Sequence, residues 1–280
     1  MSRPDRYAVV GNPIHHSLSP RIHTLFAEQT GQAMTYEARR GTPGQFAEEV
    51  GGWLAGELRG VNVTVPFKED ACQLAAVLSD RARRAGAANT LWTGDDGRIH
   101  GDNTDGVGLL RDLEDRLGCQ LNGRSILILG AGGATRGILQ PLLERRPATL
   151  MIANRTPARA EGLARDFADL AGDTRLEACA LDALPDAPFD LILNATAAGL
   201  SEDALELPAG LVGPRTTAYD LVYGPAALRF LDWAEANGCA LSSDGLGMLV
   251  EQAAEAFAIW RGVHPETGPV LATLRHEAAD

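Results

Sequence analysis

Residues 125–137 read SILILGAGGATRG, and this stretch decides the predicted fold of the second half of the chain. An apolar run passes directly into Gly130, Gly132 and Gly133, and a helical pattern follows. Glycines at such a turn let backbone N–H groups and the helix dipole approach a pyrophosphate without a side chain in the way. The stretch therefore predicts a buried strand, a dinucleotide-binding loop and a helix.

The loop departs from the full G-x-G-x-x-G pattern, because Thr135 stands at its sixth position. Taken alone, a glycine cluster also fits a tight strand-to-helix turn that binds no ligand. The surrounding sequence favours the dinucleotide, since apolar runs and helical patterns alternate from Ser125 through residues 219–223. That alternation is typical of a parallel sheet covered on both faces. We therefore predict a doubly wound, Rossmann-type domain.

The next apolar run, TLMIAN, ends in Asn154, where a site selective for NAD would carry Asp or Glu to hold the ribose hydroxyls. Arg155, Thr156 and Arg159 follow instead. As an alternative, the two arginines are solvated charges at a helix start, but cations there oppose the helix dipole unless an anion compensates. A 2′-phosphate is such an anion, so the sequence favours NADP over NAD.

The first hundred residues predict a second α/β domain. One helix is expected with Ser19 as N-cap, Pro20 in its first turn and Gly31 as C-cap. A further helical pattern runs from about residue 42 to 58, and GDDG at 94–97 predicts the turn of a hairpin.

The predicted organisation is α/β and two-lobed. From Gly245 onward the chain contains two helical patterns and no strand, so this tail must pack onto another part of the molecule. We predict a substrate-binding domain of residues 1–104, completed by residues 240–280. Residues 105–239 are predicted to form the Rossmann domain.

Composition narrows the class of partner. The 280-residue chain has a net charge of −12 and no long run of Lys or Arg, which argues against nucleic acid. It has no signal-like N-terminal segment and no apolar stretch of about 18 residues that would span a membrane. The four cysteines are widely spaced, and His15 and His16 have no ligand partner at metal spacing, so these histidines are expected to be structural or exposed. We expect reduced, mostly buried thiols, no metal, a cytoplasmic location and small-molecule partners. Monomer and homodimer both stay open.

Polar side chains interrupt the strand-like stretch VNVTVPFK at residues 61–68. Asn62 and Thr64 share one face of the predicted strand, and Lys68 follows its carboxyl end, where ligands bind in α/β sheets. Small polar groups stand at comparable positions in three other segments, namely Asn12, Ser17 and Ser19, then Asn89 and Thr90, then Asn103, Thr104 and Asp105.

Each of these residues also has a structural explanation. Ser19 and Asn103 fit helix caps, Asn89 fits a strand-edge hydrogen bond, and Lys68 fits a solvated helix start. Together, however, the hydroxyls and amides predict a pocket for a small polyol acid, in which a lysine beside Asp105 moves a proton.

Nine segments of the chain, in order and over nearly its whole length, match motifs of one enzyme family. They are GNPIHHSLSP (11–20), NVTVPFK (62–68), AANT (87–90), GDNTDGVG (101–108), GAGGATRG (130–137), ANRT (153–156), NAT (194–196), YDLVY (219–223) and DGLGMLVEQA (244–253). Together they resemble the shikimate dehydrogenase family. The resemblance implies an NADP-dependent oxidoreductase that reversibly reduces 3-dehydroshikimate to shikimate in chorismate and aromatic amino-acid biosynthesis.

The resemblance also implies roles for the substrate residues. Lys68 and Asp105 would be the catalytic pair, in which Lys68 protonates the carbonyl oxygen and Asp105 orients the lysine and one ring hydroxyl. The substrate carboxylate would be held by Ser17, Ser19 and Tyr223. The ring hydroxyls would be bound by Asn62, Thr64, Asn89, Asp105 and Gln252.

The cofactor residues follow from the same resemblance. They would be Gly130, Ala131, Gly132, Gly133 and Ala134 at the pyrophosphate, Asn154, Arg155, Thr156 and Arg159 at the adenosine phosphate, Leu221 and Gly245 near the nicotinamide, and Asp80. The chain departs from the commonest family pattern at Ala197 and Ala198, where Ser or Pro is more usual, and in GPAALRF (224–230), where Thr usually follows the proline.

Two alternatives stay open. The family also contains quinate/shikimate dehydrogenases, and those that prefer NAD tend to carry an acid where this chain has Asn154 and Arg155. A non-catalytic ligand-sensing module on the same fold would be expected to lose its proton-transfer pair, whereas Lys68 and Asp105 are both present. The sequence therefore favours the biosynthetic NADP enzyme.

Overall fold

The computed structural model describes residues 3–196 and 207–278. The departures at Ala197 and Ala198 lie outside these residues. The chain divides into two compact units, Met1–Gly108 with Leu249–Asp280, and Leu109–Met248. From the sequence these breaks are predicted earlier, before residues 105 and 240. Both observed breaks fall inside helices, at points that hydrophobic periodicity does not mark.

The first unit is built around a six-stranded mixed sheet. Its strands are β1 (Asp5–Gly11), β2 (Met34–Arg40), β3 (Gly60–Val63), β4 (Val77–Leu78), β5 (Thr90–Thr93) and β6 (Ile99–Asp102), in the order β2-β1-β3-β5-β6-β4. Its helices in this part of the chain are α1 (Ser19–Thr30), α2 (Phe46–Gly56), α3 (Lys68–Leu74), α4 (Asp80–Ala85) and the start of α5 (Asp105–Arg111). β1 pairs in parallel with β2 and β3, and β5 pairs antiparallel with β3 and β6.

Local signals set the ends of α1. Pro20 lies in its first turn, and Gly31 ends it with a φ of 65°, a left-handed conformation that glycine adopts without strain, as predicted. The predicted N-cap is wrong by one residue, because the cap position is Leu18 and Ser19 is already helical. The Oγ of Ser17 accepts the Ser19 N–H at 3.3 Å, so the preceding serine satisfies that donor.

The other local predictions for this unit hold in part. The hairpin is confirmed, since Gly97 donates its N–H to Gly94 O at 2.9 Å between the antiparallel β5 and β6. The helix expected over 42–58 is shorter in the structure and spans Phe46–Gly56. Thr42 lies before the helix, where its hydroxyl and backbone N–H donate to the Glu49 carboxylate. β2 was not predicted from the sequence; residues 34–38 alternate between apolar and polar, but no side chain of the strand is fully buried.

The second unit carries the predicted doubly wound sheet. Its elements are β7 (Ser125–Leu129), α6 (Gly133–Glu144), β8 (Thr149–Asn154), α7 (Pro157–Asp166), β9 (Arg175–Ala180), β10 (Leu191–Asn194), β11 (Thr217–Asp220), α8 (Pro225–Ala236) and β12 (Leu241–Ser243). The strand order is β12-β11-β10-β7-β8-β9, and every neighbouring pair is parallel, which confirms the Rossmann-type prediction. The three-residue edge strand β12 was not predicted, because it contains two serines and no apolar pattern.

Alternation along β7 builds two cores, one on each face of this sheet. Ile126 and Ile128 pack in one buried cluster, while Leu127 and Leu129 pack in another. All four side chains have no solvent exposure, as expected for a central parallel strand. Residues 126–129 are therefore continuously apolar because both faces of the strand are covered.

The tail forms α9 (Leu246–Arg261) and α10 (Thr267–Glu277), and from Leu249 it packs into the first unit. Phe257 and Trp260 of α9 meet His23 and Phe26 of α1 and Tyr36 of β2 in one aromatic cluster. The prediction that the strandless tail packs back is therefore confirmed. Within the part of the chain that the structure describes, no helix combines the length and apolar character of a membrane span.

His23 lies at the centre of this cluster. Its side chain has no solvent exposure, and neither ring nitrogen has a hydrogen-bond partner among the described residues. Burial lowers the pKa of His23 to about 3, with the neighbouring Asn62 amide acting weakly in the other direction. The imidazole is therefore neutral at ordinary pH.

We expect His23→Phe to stabilise the protein, with a gain that grows as the pH falls. The unfolded histidine binds a proton below about pH 6.5, whereas the folded one does so only near 3, so acid favours unfolding across that window. Removing the imidazole removes this dependence, which amounts to about 3 kcal/mol at pH 4.5. Denaturant unfolding at pH 7 and 4.5 measures it, with the exposed His16→Phe as control. An equal gain at both pH values would contradict the assignment.

Candidate active site

A salt bridge joins the two residues predicted to transfer the proton. Lys68 Nζ lies 2.6 Å from Asp105 Oδ2, and the two side chains are 16% and 7% exposed. Lys68 is the first residue of α3 and Asp105 the first residue of α5. The interpretation of Lys68 as a solvated helix start is therefore wrong, because its ammonium group is largely buried against a carboxylate.

Asn89 holds this carboxylate from the other side. Its Nδ2 donates to Asp105 Oδ1 at 2.8 Å, while its Oδ1 accepts the backbone N–H of Thr104 at 2.9 Å. A backbone N–H can only donate, so this contact settles which atom of the amide is the oxygen. The amide therefore has one possible orientation, and both carboxylate oxygens of Asp105 have fixed partners.

The segment before Asp105 is itself anchored. Asn103 Oδ1 accepts the N–H of Asp105, the first residue of α5, at 3.1 Å, so the Asn103 side chain satisfies the first helical donor although it lies one residue before the cap position. Its Nδ2 donates to Ala87 O at 2.9 Å. The hydrogen bond that holds the start of α5 therefore also holds Asp105, the residue that pairs with Lys68.

Gln252 reaches the same network from α9. Its Oε1 lies 3.3 Å from both Asn89 Nδ2 and Thr104 Oγ1. The two ends of the chain therefore meet at this site, which explains why a strandless tail carries a predicted substrate residue.

Asn62 lies on the other side of Asn89. Its Nδ2 donates to Asn89 O at 3.2 Å and to Thr90 Oγ1 at 3.1 Å, and its Oδ1 accepts from the hydroxyl of Tyr36 at 2.7 Å. Tyr36 is not predictable as a site residue from the sequence, because a single tyrosine in a partly exposed strand carries no motif.

The loops after β1 and β3 are bound to one another. Asn12 donates its backbone N–H to Val65 O at 3.0 Å, and a Cβ on Gly11 would collide with the Thr64 methyl group. This contact brings the loop of Ser17 and Ser19 to the same sheet edge as Thr64. The structure therefore places these two loops side by side.

The structure also shows the surroundings of four other residues singled out in the sequence. His15 and His16 are exposed, and their ring centroids lie 3.7 Å apart with the planes tilted by 48°. No cluster of metal-binding side chains occurs within residues 3–196 and 207–278. Asp80 is exposed at the start of α4, whose N-cap is Ser79. Tyr223 belongs to the second unit.

In the second unit, the glycine loop leaves a helix terminus open. Gly130 has a φ of 108°, and a Cβ there would approach Ala195 O to 2.9 Å, so both conformation and space require glycine. Gly132 is the N-cap of α6, and no described side chain caps this end. Cβ atoms on Gly132 or Gly133 would meet nothing within 4 Å. Uncapped N–H groups in open space fit a pyrophosphate.

Thr135 explains the departure from the full glycine pattern. It is fully buried, and its Oγ1 donates to Gly130 O at 2.9 Å. The hydroxyl therefore satisfies a loop carbonyl at the position where a third glycine would stand.

The end of β8 lies beside this loop, since Leu129 pairs with Ala153. Asn154 Nδ2 donates to Thr156 O at 2.9 Å and shapes the turn into α7. Arg155 and Arg159 are exposed beside the start of α7. A cation in the first turn of a helix fits an external anion such as a 2′-phosphate.

A third group lies at the ends of β10 and β11. Asp220 is fully buried, accepts from Asn194 Nδ2 at 2.7 Å, and has a pKa that burial and the nearby Asp244 raise to about 7. Gly245 donates its N–H to Val222 O at 2.9 Å, and a Cβ there would collide with Leu221 O. The two residues predicted near the nicotinamide are thus neighbours.

Comparison with known proteins agrees with this arrangement. Residues 9–91 match the shikimate dehydrogenase substrate-binding domain, residues 112–201 match the shikimate/quinate 5-dehydrogenase model, and residues 245–275 match the shikimate 5′-dehydrogenase C-terminal domain. A shikimate dehydrogenase (NADP+) of Methylococcus capsulatus is 54% identical over 99% of this chain and 98% of its own length. One of Thioalkalivibrio sulfidiphilus is 55% identical over 97% of this chain and 98% of its own length.

Solved structures show the same likeness. Shikimate 5-dehydrogenase of Thermus thermophilus, in complex with NADP(H) and shikimate, is 35% identical and superposes with a TM-score of 0.83 over 97% of this chain and 99% of that chain. Sequence relatives, family models and structural neighbours agree, and the chain therefore belongs to the shikimate dehydrogenase family.

Proposed function

We propose that this chain is an NADP-dependent shikimate dehydrogenase, which reversibly reduces 3-dehydroshikimate to shikimate in chorismate and aromatic amino-acid biosynthesis. The observation that carries the proposal is the buried Lys68–Asp105 salt bridge, whose carboxylate is also held by Asn89. Relatives named as NADP+ enzymes at 54% and 55% identity support the same cofactor and substrate. The first unit would bind the substrate and the second NADP.

Lys68 would supply the proton that ketone reduction requires. NADPH, when bound, provides the hydride. The Lys68 ammonium group donates a proton to the oxygen of the reduced carbonyl, and in the reverse direction the amine accepts it. Asp105 keeps Nζ in place through the 2.6 Å contact. Because Asn89 fixes Asp105, the proton donor is positioned before substrate binds.

The remaining substrate residues would recognise a hydroxylated carboxylic acid. Ser17, Ser19 and Tyr223 are proposed for the carboxylate, and Asn62, Thr64, Asn89, Asp105 and Gln252 for the ring hydroxyls. Hydroxyl and amide groups suit such a ligand, because each can exchange hydrogen bonds with an alcohol.

The structure of the second unit favours NADP over NAD. We propose the open end of α6, residues Gly130 to Ala134, for the pyrophosphate, and Asn154 to Arg159 for the adenosine phosphate. Leu221 and Gly245 are proposed near the nicotinamide, and Asp80 as a further contact. The exposed arginines disfavour the NAD-preferring quinate enzymes, and the intact proton-transfer pair disfavours a sensing module.

We also propose a cytoplasmic location. The four free thiols support a reducing compartment, although they are half-buried rather than mostly buried as predicted. They are Cys72, Cys119, Cys179 and Cys239. The assembly is proposed as monomer or homodimer, which light scattering of the purified protein distinguishes.

The proposed activity predicts a specific pattern of turnover. We expect fast reduction of NADP+ with shikimate, and slow reaction with quinate or with NAD+. Initial rates for the four combinations measure it. Comparable rates with quinate or NAD+ would assign the chain to the quinate enzymes, and no reaction in any combination would assign it to the sensing class.

Variants of Lys68 distinguish the role of its positive charge from its role as a proton donor. Lys68→Arg keeps a cation for Asp105, but a guanidinium does not release its proton near neutral pH. We therefore expect both Lys68→Arg and Lys68→Ala to lower kcat by about a thousandfold, the scale of a lost general acid. Steady-state rates at pH 7 and 9 measure it, and the exposed Arg83→Ala is the control. A Lys68→Arg enzyme with wild-type kcat would rule out proton donation by Lys68.

The arginine pair predicts cofactor selectivity. Arg155→Ala combined with Arg159→Ala should raise the KM for NADP+ by about 10- to 100-fold, because charged hydrogen bonds to a phosphate are lost. The KM for NAD+ should not change, since it lacks that phosphate. Arg165→Ala, in the last turn of the same α7, is the matched control. Equal losses with both cofactors would contradict the proposed contact.

A further inference from the structure

The hydroxyl of Tyr36 reaches from β2 to a predicted substrate residue. It lies 2.7 Å from Asn62 Oδ1. Tyr36 is one of the residues that line an open cavity of about 360 Å³ beside α1. Burial raises the pKa of Tyr36 well above its ordinary value, so the hydroxyl keeps its proton.

Packing holds the Tyr36 ring in one orientation. The imidazole of His23 stacks on it with centroids 4.1 Å apart and planes 5° from parallel. His23 has no solvent exposure and is itself enclosed by Phe26, Phe257 and Trp260. The Tyr36 hydroxyl is therefore a fixed donor.

Chemistry settles the orientation of the Asn62 amide. Asn89 O is a backbone carbonyl and can only accept, so the Asn62 atom at 3.2 Å from it is Nδ2. The opposite atom is Oδ1, and the Tyr36 hydroxyl must donate to it.

The hydrogen-bond count at Asn62 then limits what it can offer a ligand. Both N–H groups of Nδ2 are engaged, by Asn89 O and by Thr90 Oγ1. Oδ1 has two lone pairs and uses one for Tyr36. One acceptor position is left, and no donor.

We propose that Tyr36 is a positioning residue, which holds Asn62 so that its amide oxygen accepts a hydrogen bond from a substrate hydroxyl. This inference rests on the proposed function, in which Asn62 binds a ring hydroxyl. It adds that the site selects for a hydrogen-bond donor at this position of the substrate. It also assigns a binding role to a residue outside the family motifs.

The test compares two tyrosines of one sheet. Tyr36→Phe removes the hydroxyl and keeps the ring on His23. Tyr7→Phe makes the same change on β1, where the hydroxyl lies 3.3 Å from Arg261 Nη1 and the ring stacks on Trp260. We expect Tyr36→Phe to raise the KM for shikimate by about five- to tenfold, the scale of one hydrogen bond, with kcat and the KM for NADP+ changed less than about twofold. Tyr7→Phe should leave all three constants unchanged.

A double variant shows whether Tyr36 acts through Asn62. In an Asn62→Ala background, Tyr36→Phe should have no further effect on the KM for shikimate. The inference would be overturned if Tyr36→Phe raised the KM for shikimate equally in the Asn62→Ala background, or if the single Tyr36→Phe variant had an unchanged KM. In either case shikimate turnover by the wild-type protein would leave the proposed function standing. A wild-type protein without shikimate turnover would overturn both. Thermal unfolding of each variant separates a general loss of stability from the specific KM effect.

Discussion

The geometry of the proton-transfer pair depends on one buried amide. Asn89 is 2% exposed, and its backbone groups are engaged by Val63 and Asp102 on neighbouring strands. A buried polar group without a partner costs about 1–3 kcal/mol, so the side chain keeps the orientation in which all its groups are satisfied. That orientation fixes Asp105, and Asp105 fixes Lys68.

Lys68 is also the only lysine of the chain, since the other members of the 25 Lys and Arg residues are all arginines. Ion pairs elsewhere, such as Arg81 with Asp102, use the guanidinium group, which holds its proton and offers several fixed donors. An ammonium group can give up its proton and take it back. The one lysine therefore stands where the proposed chemistry requires proton exchange. The Lys68→Arg variant would contain no lysine at all.

Much of the fold follows from local pattern. The strand–glycine–helix unit at 125–137, the alternation that follows it and the GDDG turn are written in neighbouring residues, because side-chain period and turn chemistry are local properties. The missed strands are β2, β4 and β12, which are edge strands with partly exposed side chains. Edge strands form by pairing with a neighbour rather than by burying an apolar face, so their own sequence says little.

The sequence by itself determined which residues carry the predicted chemistry and cofactor preference, because the residue type fixes which functional group stands at each position. The tertiary structure decided what holds them. It placed Gln252 from the chain end against Asn89 and put Tyr36 behind Asn62. It also buried His23 without a hydrogen-bond partner among the described residues. Contacts between residues far apart in the chain depend on packing and on satisfying buried polar groups, and neither is encoded in a local stretch.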